Sequence, residues 1–492
     1  MSLTQNHSQS NFNQALWLGI GQVCTYLITF VSAAVLSRYF DKTEYGTYKQ
    51  ILYVYNILQS LFTIGLPSIF SYFIPRLSIS QQKTLINSMN RLFLFLGIGL
   101  SLTLFFLSGV LASLLNNPEL ALGLKLFSPF PLFTLPSMGV SGIYTALRKT
   151  RSVAFFELFS KTVMLLCIVL PVVLFHTGYK VAILGWGVAS FLSFLVAMYM
   201  KNKPYVEIKK ELIPNMYKTV FDYSLPLLGA MVAGVCISSA DQFFISRYFG
   251  TETFAEFSNG CLSIPIIAMI AGPIKNVLLP LFSKADSEGH IEIAVSTYNN
   301  SVKKSVNLVY PVLFFCVFFA KDIMVFLYGE QYWVSGTFLR YFIIRDFVDV
   351  FPYLSVLFAI GATSVYMYTH IAVAVLTWVI DFTLVKLCCD QYSFVITSSL
   401  LQVFIRVVCF TYIFKMRKLN LFQKSLVGSI AKMSVHCVVV LLLLVFLKQS
   451  FMSSLSPFIS LMICGLLFYM VLISTGIFLK VDYIEAFKML KK

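Results

Sequence analysis

Fourteen continuous apolar runs constrain the fold of this chain more than any other feature. Each run is about twenty residues long, enough for an α-helix with a rise of ~1.5 Å per residue to cross a ~30 Å hydrocarbon core. Strands of a membrane barrel would instead give alternating segments of ~10 residues. We therefore predict an all-α polytopic membrane protein with about 14 transmembrane helices. The runs are Ala15–Leu36, Ile51–Phe73, Leu92–Leu115, Leu120–Ala146, Phe155–Leu174, Val181–Met200, Leu225–Ile245, Phe257–Phe282, Leu308–Tyr328, Phe338–Tyr366, Ile371–Cys389, Phe394–Phe414, Ile430–Leu447 and Phe458–Leu479.

The positive charge of the chain is distributed unevenly between the two sides of the membrane. The net charge is +16. If the N-terminus is cytoplasmic, the cytoplasmic loops hold about three times as many Lys and Arg residues as the outer loops, which is the positive-inside pattern. Lys49 is counted here with the outer loops and Lys161 with the cytoplasmic loops. We therefore predict that both termini are cytoplasmic and that the basic residues contact membrane lipids and no nucleic acid.

Cysteine, histidine and loop patterns exclude several classes of protein. The ten cysteines lie almost entirely within apolar runs, where Cys behaves as a small hydrophobic residue. The sequence contains neither a C-x-x-C pair nor a G-x-x-x-x-G-K-[ST] nucleotide motif. The longest internal loop has about twenty-five residues, too few for a catalytic domain. We predict no cofactor, no metal site and no enzymatic activity.

A short motif that follows the first apolar run occurs again after the seventh. Residues 36–48 read LSRYFDKTEYGTY and residues 245–257 read ISRYFGTETFAEF, which places Arg38 and Arg247 in the same setting. Because six spans separate the copies, both copies cross the membrane in the same direction. The repeat therefore predicts two six-helix lobes related by a pseudo-twofold axis along the membrane normal. The predicted segments are an N-terminal lobe (1–200), a cytoplasmic linker (201–218), a C-terminal lobe (219–416), and an extra helix pair with a cytoplasmic tail (417–492).

Several motifs, taken in order, resemble those of a known transporter family. They include the repeated arginine motif, Pro226 and Asp241 in the seventh run, and the turn from Gly329 to Tyr332. This order resembles the polysaccharide (O-antigen and capsule) flippase family of the multidrug/oligosaccharidyl-lipid/polysaccharide exporter superfamily, whose members have the MATE-like fold. The resemblance implies a bacterial inner-membrane flippase that moves undecaprenyl-diphosphate-linked oligosaccharide to the outer leaflet by alternating access. It also implies other polysaccharide assembly proteins as partners.

Ionisable residues within apolar runs are candidates for contact with such a substrate. Each costs ~2.5–3.5 kcal/mol on insertion scales, so they are functional hypotheses by default. Arg345 with Asp349, and Arg406 with Asp381, are predicted ion pairs. Arg38 and Arg247 either fix the outer ends of two helices or line the outer gate. The ion-coupling candidates are Asp241 and Asp381. The substrate-binding candidates are Arg38, Arg247, Lys275, Arg340, Arg345, Arg406 and Lys125.

Two other functions remain open at this point. A cation-coupled multidrug exporter of the same fold would favour an acidic residue inside the first lobe, whose runs contain only Glu157. A membrane-embedded glycan polymerase or ligase usually carries a large outer loop, and the outer loops here are short. Both alternatives are therefore weaker than a flippase.

Overall fold

Helices make up the regular secondary structure of this protein. The computed structural model describes residues 2–63, 65–288, 291–452, 455–479, 481 and 483. The chain divides into two compact units, Met1–Ala255 and Glu256–Lys492. The lobe limits at 200 and 219 stay a prediction. Most of the predicted cytoplasmic tail lies outside the described residues, and so does the side chain of Pro226.

Helices α1 to α11 account for the first unit, with α11 continuing a few residues beyond it. They are α1 (Ser2–Tyr39), α2 (Lys42–Thr63), α3 (Ile69–Phe73), α4 (Ile79–Phe106), α5 (Ser108–Leu114), α6 (Glu119–Phe127), α7 (Phe130–Ser137), α8 (Val140–Ala146), α9 (Thr150–Phe175), α10 (Tyr179–Asn202) and α11 (Met216–Gly260).

Helices α12 to α21 form the second unit. They are α12 (Pro265–Glu288), α13 (Ile291–Phe318), α14 (Ala320–Tyr328), α15 (Ser335–Phe342), α16 (Ile344–Asp349), α17 (Tyr353–Ala359), α18 (Thr363–Lys386), α19 (Gln391–Arg417), α20 (Lys424–Phe451) and α21 (Pro457–Phe478).

Most of the predicted spans correspond to single long helices. Within the described residues, nine helices are long and apolar enough to cross a membrane, and two bent helix pairs raise the number to eleven. The bent pairs are Lys42–Thr63 with Leu66–Arg76, at 58°, and Glu119–Phe127 with Phe130–Ala146, at 47°. The prediction of a multi-pass helical membrane protein is confirmed at this level.

Two predicted loops are in fact helical extensions. The third span was expected to begin at Leu92 and the ninth at Leu308, but α4 begins at Ile79 and α13 at Ile291. The first turns of α13 carry polar residues, yet Ala294, Val295 and Tyr298 are buried. These apolar positions follow the 3.6-residue helical period, which a search for continuous apolar runs does not detect.

The order of helices in the first unit recurs in the second. A 28-residue helix is followed by a short one in α4–α5 and again in α13–α14. A span broken into short pieces comes next, α6–α8 and α15–α17, and then two long helices, α9–α10 and α18–α19. The succession of element lengths agrees with the internal repeat predicted from the arginine motif.

Close helix packing in the first unit depends on small residues. A Cβ atom added to Gly185 of α10 would lie 2.3 Å from the carbonyl oxygen of Cys167 in α9. One added to Gly97 of α4 would lie 3.0 Å from the carbonyl oxygen of Pro131 in α7. Small residues let membrane helices approach closely enough for extensive van der Waals contact.

The last two helices pack on the second unit through aromatic contacts and an ion pair. Phe468 of α21 lies 5.6 Å from Phe315 of α13, measured between ring centroids, and Phe458 stacks on Phe326 of α14 at 5.1 Å. Lys448 of α20 pairs with Asp322 of α14. The extra helix pair is thus fixed against α13 and α14.

We predict that Gly185→Ala destabilises the first unit, because the added methyl group clashes with the backbone of α9. The expected cost is about 1–3 kcal/mol, typical of overpacking, seen as a lower Tm of the detergent-solubilised protein. Gly187→Ala is the matched control on the same helix, since an added Cβ there meets no atom within 4 Å. An equal Tm for both variants would contradict the packing described for α9 and α10.

Candidate functional site

The repeated arginine motif forms a helix, a break and a second helix in both copies. Arg38 lies in the last turn of α1, and α2 begins after Asp41, whose Oδ1 accepts a hydrogen bond from the Glu44 backbone N–H at 2.7 Å. Arg247 lies just before Gly250, which interrupts α11 with φ 85° and ψ 176°. The helix is therefore interrupted a few residues after the arginine in both copies, next to a capping aspartate in the first and at a glycine in the second.

Arg247 stabilises the end of a neighbouring helix. Its Nη1 donates to the carbonyl oxygens of Leu114, at 2.5 Å, and Ser113, at 3.4 Å, in the last turn of α5. The Ser113 carbonyl also accepts from the Asn116 backbone N–H at 3.3 Å, so the shorter bond to Leu114 is the main contact, and a cation near a helix C-terminus is favourable. This contact supports the predicted role of Arg247 in fixing a helix end.

Arg340 has a similar position in the second unit. Its Nε donates to the carbonyl oxygen of Val317 at 3.0 Å, and its Nη2 to that of Phe318 at 3.4 Å, at the C-terminus of α13. The guanidinium therefore satisfies two carbonyl groups that α13 leaves unpaired.

The ion pairs of the second unit differ from the predicted ones. Arg406 pairs with Asp349 and also donates to the Gln402 side chain at 2.9 Å. Arg345 Nε lies 4.0 Å from Asp346 Oδ1, and Arg345 Cζ lies 3.5 Å from the ring centroid of Phe342. The predicted pair Arg345–Asp349 is wrong, because α19 packs against α16 and brings Arg406 to Asp349. The pair of Arg406 with Asp381 stays a prediction.

The remaining predicted residues are dispersed over the two units. Lys125 on α6 is exposed, with its Nζ 5.9 Å from the ring centroid of Phe105. Lys275 on α12 is half-buried. Asp241 on α11 and Asp381 on α18 are both buried. Among the described residues, no group of three or more His, Cys, Asp or Glu is placed to hold a metal ion.

A polar network joins α2 to α11 within the first unit. Gln50 Nε2 donates to Ser246 Oγ at 2.7 Å, and Gln50 Oε1 accepts from Asn117 Nδ2 at 2.6 Å. Thr43 and Glu252, which are 209 residues apart and equivalent in the repeat, are hydrogen-bonded at 3.2 Å. In the predicted topology these contacts close α2 against α11 at the outer membrane surface.

Two lysines that we had counted with the loops line one cavity in the first unit. The cavity has a volume of about 140 Å³ and lies among α1, α2, α9 and α10, with Lys49 on α2 and Lys161 on α9. By the ~1.5 Å rise per residue, Lys49 lies about 10 Å along α2 and Lys161 about 16 Å along α9. Both are therefore within the membrane-spanning helices.

The surroundings of these lysines favour an anionic ligand. Within the described part of the chain, neither Nζ lies within 4 Å of a carboxylate oxygen, and the carboxylate that acts on Lys161 from a greater distance is Glu157, one turn earlier on α9. The Tyr45 ring centroid is 5.1 Å from Lys49 Nζ, and the Tyr48 hydroxyl accepts a hydrogen bond from Trp186 at 2.9 Å. Two ammonium groups in a membrane interior are costly unless a counter-charge joins them, and a lysine is a common ligand of phosphate.

The spacing of the cavity-lining residues is a sequence signal that a search for continuous apolar runs does not find. The cavity-lining residues of α2 are Tyr45, Tyr48, Lys49 and Leu52, and those of α9 are Lys161, Met164, Leu165 and Ile168. Both sets have the i, i+3, i+4, i+7 spacing of a single helix face. A lysine at one of these positions faces the same cavity as the apolar residues beside it, even when it lies close to the end of an apolar run.

A second cavity adjoins the first and is lined by hydroxyl groups. It has a volume of about 220 Å³, lies among α7, α8, α9 and α10, and shares Met164 with the two-lysine cavity. We call it the hydroxyl pocket, after the six side chains Thr134, Ser137, Ser141, Ser160, Ser190 and Ser193.

The hydroxyl pocket exists because the fourth predicted span is broken between α7 and α8. Met138 is extended and Gly139 has φ 90°, a conformation that favours glycine. Lys201, which is fully buried, donates from Nζ to the carbonyl oxygen of Pro136 at 2.7 Å and to Asn90 Oδ1 at 3.0 Å. This lysine, predicted to lie in the linker, instead stabilises the break beside the pocket.

Comparison with solved structures defines the class of protein first. The fold is similar to that of a lipid II flippase MurJ in an inward closed conformation, with a TM-score of 0.71, 13% identity, and coverage of 94% of this chain and 99% of that one. It is also similar to an inward-facing multidrug resistance MATE family transporter of the MOP superfamily, with a TM-score of 0.61, 13% identity, and coverage of 79% and 93%. A MOP superfamily transporter from Pyrococcus furiosus, described as having a binding pocket of reversed polarity, matches with a TM-score of 0.57, 14% identity, and coverage of 82% and 94%. The chain therefore has the MurJ/MATE fold.

The sequence then identifies the family. A model described as polysaccharide biosynthesis protein matches residues 35–336, more than half of the chain, and the protein belongs to this family. No curated protein matches the sequence. The family resemblance predicted from the motifs is confirmed.

We predict that Arg247→Ala lowers stability but leaves transport per folded molecule nearly unchanged, because the guanidinium binds carbonyl groups at the end of α5. The expected cost is about 1 kcal/mol, measured as a fall in Tm, and Arg247→Lys should retain part of it. Lys209→Ala, which removes an exposed cation from the loop after α10, is the control. Loss of transport at an unchanged Tm would instead assign Arg247 to the substrate path.

We also predict that Gly46→Ala separates α2 from α11 at the polar network. A Cβ atom at this position would lie 2.1 Å from the carbonyl oxygen of Thr251. Hydrogen–deuterium exchange of the segments that contain Gly46 and Thr251 should become faster. Gly109→Ala on α5 is the control, since an added Cβ there meets no atom within 4 Å; unchanged exchange in Gly46→Ala would argue against this contact in the membrane.

Proposed function

We propose that this protein is a flippase that moves polyprenyl-diphosphate-linked oligosaccharide from the cytoplasmic to the outer leaflet by alternating access. The observation that carries the proposal is the pair of lysines, Lys49 and Lys161, lining one cavity inside the membrane-spanning helices of a polysaccharide biosynthesis family member. The substrate would be a surface-polysaccharide repeat unit such as an O-antigen unit, on an undecaprenyl carrier.

The chemistry of such a substrate matches the two-lysine cavity. A diphosphate is the charged part of the lipid-linked glycan, and it must leave water during transfer. Two ammonium groups compensate its charge in a medium of low dielectric constant, where attraction between opposite charges is much stronger than in water. The lipid tail can remain in the bilayer, so the protein needs to shelter only the diphosphate and the glycan.

We further propose the membrane topology that this transport requires. The chain would cross a bacterial inner membrane 14 times with both termini in the cytoplasm, as two six-helix lobes with a C-terminal helix pair. The excess of Lys and Arg on one side supports the orientation, and the recurring order of helix lengths supports the two lobes. Other proteins of polysaccharide assembly would accept the product at the outer leaflet.

The other charged residues have subsidiary roles in this proposal. The candidates for contact with the substrate along its path remain Arg38, Lys125, Lys275 and Arg345. Arg247, Arg340 and Arg406 bind carbonyl or carboxylate groups of the fold. Asp241 and Asp381 are buried carboxyl groups on membrane helices. We propose them as the acids that couple transport to an ion gradient.

A cation-coupled drug exporter of the same fold is less consistent with the cavity. The charged side chains that line it, Lys49 and Lys161, are both cationic. They would repel a cationic drug and attract an anionic headgroup. Resistance profiles of cells with and without the protein separate the two functions, since an exporter would change drug susceptibility without changing surface polysaccharide.

We predict that Lys49→Gln and Lys161→Gln each reduce the flipping of undecaprenyl-diphosphate-linked glycan by about tenfold or more, the size expected for loss of a charge-assisted contact of ~1.5–3 kcal/mol. The assay uses purified full-length protein in liposomes and measures glycan that becomes accessible to an enzyme added outside. Lys→Arg variants should retain part of the activity because they keep the charge.

Lys209→Gln is the control, because it removes a cation that is exposed in the loop after α10. Tm values and protein incorporation into the liposomes must match those of the unmodified protein. If folded protein moves no lipid-linked glycan, or if both lysine variants move it at the normal rate, the proposed function or its proposed site is wrong.

A further inference from the structure

The hydroxyl pocket is the strongest unassigned feature of the first unit. It adjoins the two-lysine cavity, with Met164 in both walls and with the consecutive residues Ser160 and Lys161 each lining one of the two cavities. A ligand group bound between the lysines would therefore place its next chemical group at or near this pocket. In a lipid-linked glycan, the group next to the diphosphate is a sugar.

The hydrogen-bonding state of the hydroxyl groups defines what the pocket can bind. Ser137 and Ser190 use their protons to bond carbonyl oxygens of their own helices, at 2.7 Å each, and Ser141 donates to Glu157 Oε1 at 3.1 Å. Ser160 and Ser193 share a hydrogen bond of 3.0 Å. Most of these oxygens keep lone pairs free to accept hydrogen bonds, so the pocket suits a ligand that carries several O–H or N–H donors.

The size and remaining walls of the pocket also suit a sugar. Its volume of about 220 Å³ far exceeds the ~10–15 Å³ that one water needs by the same measure. Phe156 also lines the pocket and offers an apolar ring to the C–H face of a pyranose. The side chains that line the pocket are uncharged, and the Glu157 carboxylate beside it is hydrogen-bonded to Ser141.

We propose that the hydroxyl pocket binds the sugar joined directly to the diphosphate and so selects the glycan that the protein transports. This inference rests on the proposed function, because it takes the diphosphate to be held by Lys49 and Lys161. Ser160 and Ser193 are specificity-determining residues in this arrangement, and the lysines contribute affinity that does not depend on the sugar.

The test compares two probes on the full-length protein in nanodiscs: undecaprenyl diphosphate, and the same lipid with a single N-acetylhexosamine. The unmodified protein should bind the glycosylated probe more tightly. The double variant Ser160→Ala/Ser193→Ala should lose about tenfold in affinity for the glycosylated probe, as expected for one or two hydrogen bonds, and should bind the sugar-free diphosphate normally. Lys49→Gln should weaken binding of both probes.

Ser474→Ala is the matched control, since Ser474 is an exposed helix serine whose hydroxyl donates to the carbonyl oxygen of Met470 at 2.9 Å. If the double variant does not fold, Ser160→Ala and Ser190→Ala are measured singly, and each should lose affinity for the glycosylated probe alone. The inference is overturned if folded serine variants bind both probes normally, or if they lose the same affinity for both probes. It is also overturned if the variants change only the dependence of binding on sodium, because the pocket would then hold a cation and not a sugar.

Failure of the inference and failure of the proposed function give different results. If the sugar-free diphosphate binds and depends on Lys49, while the serine variants behave normally, only the sugar pocket is wrong. If the unmodified protein binds neither probe, the proposed function itself fails, and the hydroxyl pocket is not a sugar site.

Discussion

The bond from Lys201 to the carbonyl oxygen of Pro136 is the interaction on which the hydroxyl pocket of the first unit depends. Where α7 ends before Met138, the helix leaves carbonyl groups without partners, and an unsatisfied backbone group in a bilayer costs several kcal/mol. Lys201 binds one of these carbonyls, and Phe70 and Phe93 lie 5.2 and 5.9 Å from its Nζ. A break held in this way leaves room for a pocket in what would otherwise be continuous helix packing.

Burial of the Lys201 ammonium group costs free energy, so the groups that surround it must compensate that cost. A buried ammonium without a carboxylate partner is stable only when neutral oxygens and aromatic rings replace its hydration. Pro136 and Asn90 supply the oxygens, and a Cβ atom at Gly139 would lie 2.1 Å from the ring of Phe70. Gly139, Phe70 and Lys201 therefore pack together, so each of these residues restricts which side chains fit at the other two positions.

The helical class could be predicted from the sequence because it depends on a pattern along the chain, whereas the two-lobe arrangement stays a prediction. Continuous apolar runs indicate membrane helices, and the copies around Arg38 and Arg247 both form a helix that breaks within a few residues. The extensions of α4 and α13 could not be found in this way. Their apolar residues are periodic rather than continuous, and only packing against other helices shows that they are buried.

The site was harder to predict, because it depends on which helix faces meet. The repeated motif selected Arg247, and rarity within apolar runs selected Arg340, yet both bind carbonyl groups at helix ends. Lys49 and Lys161 were passed over because they lie near the predicted ends of their spans. In three dimensions they belong to helix faces that line one cavity, a relation that no single span reveals.

The use of lysine rather than arginine at the two-lysine cavity is consistent with the needs of a transporter. An arginine can hold a phosphate through two parallel hydrogen bonds of fixed geometry, whereas a lysine acts as a flexible point charge. A transporter must bind its cargo strongly enough to remove it from water and weakly enough to release it. Two lysines supply the neutralising charge without a rigid fork. In the proposed function, geometric selection then comes from neutral hydroxyl groups, whose individual bonds are weak enough to break when a glycan leaves.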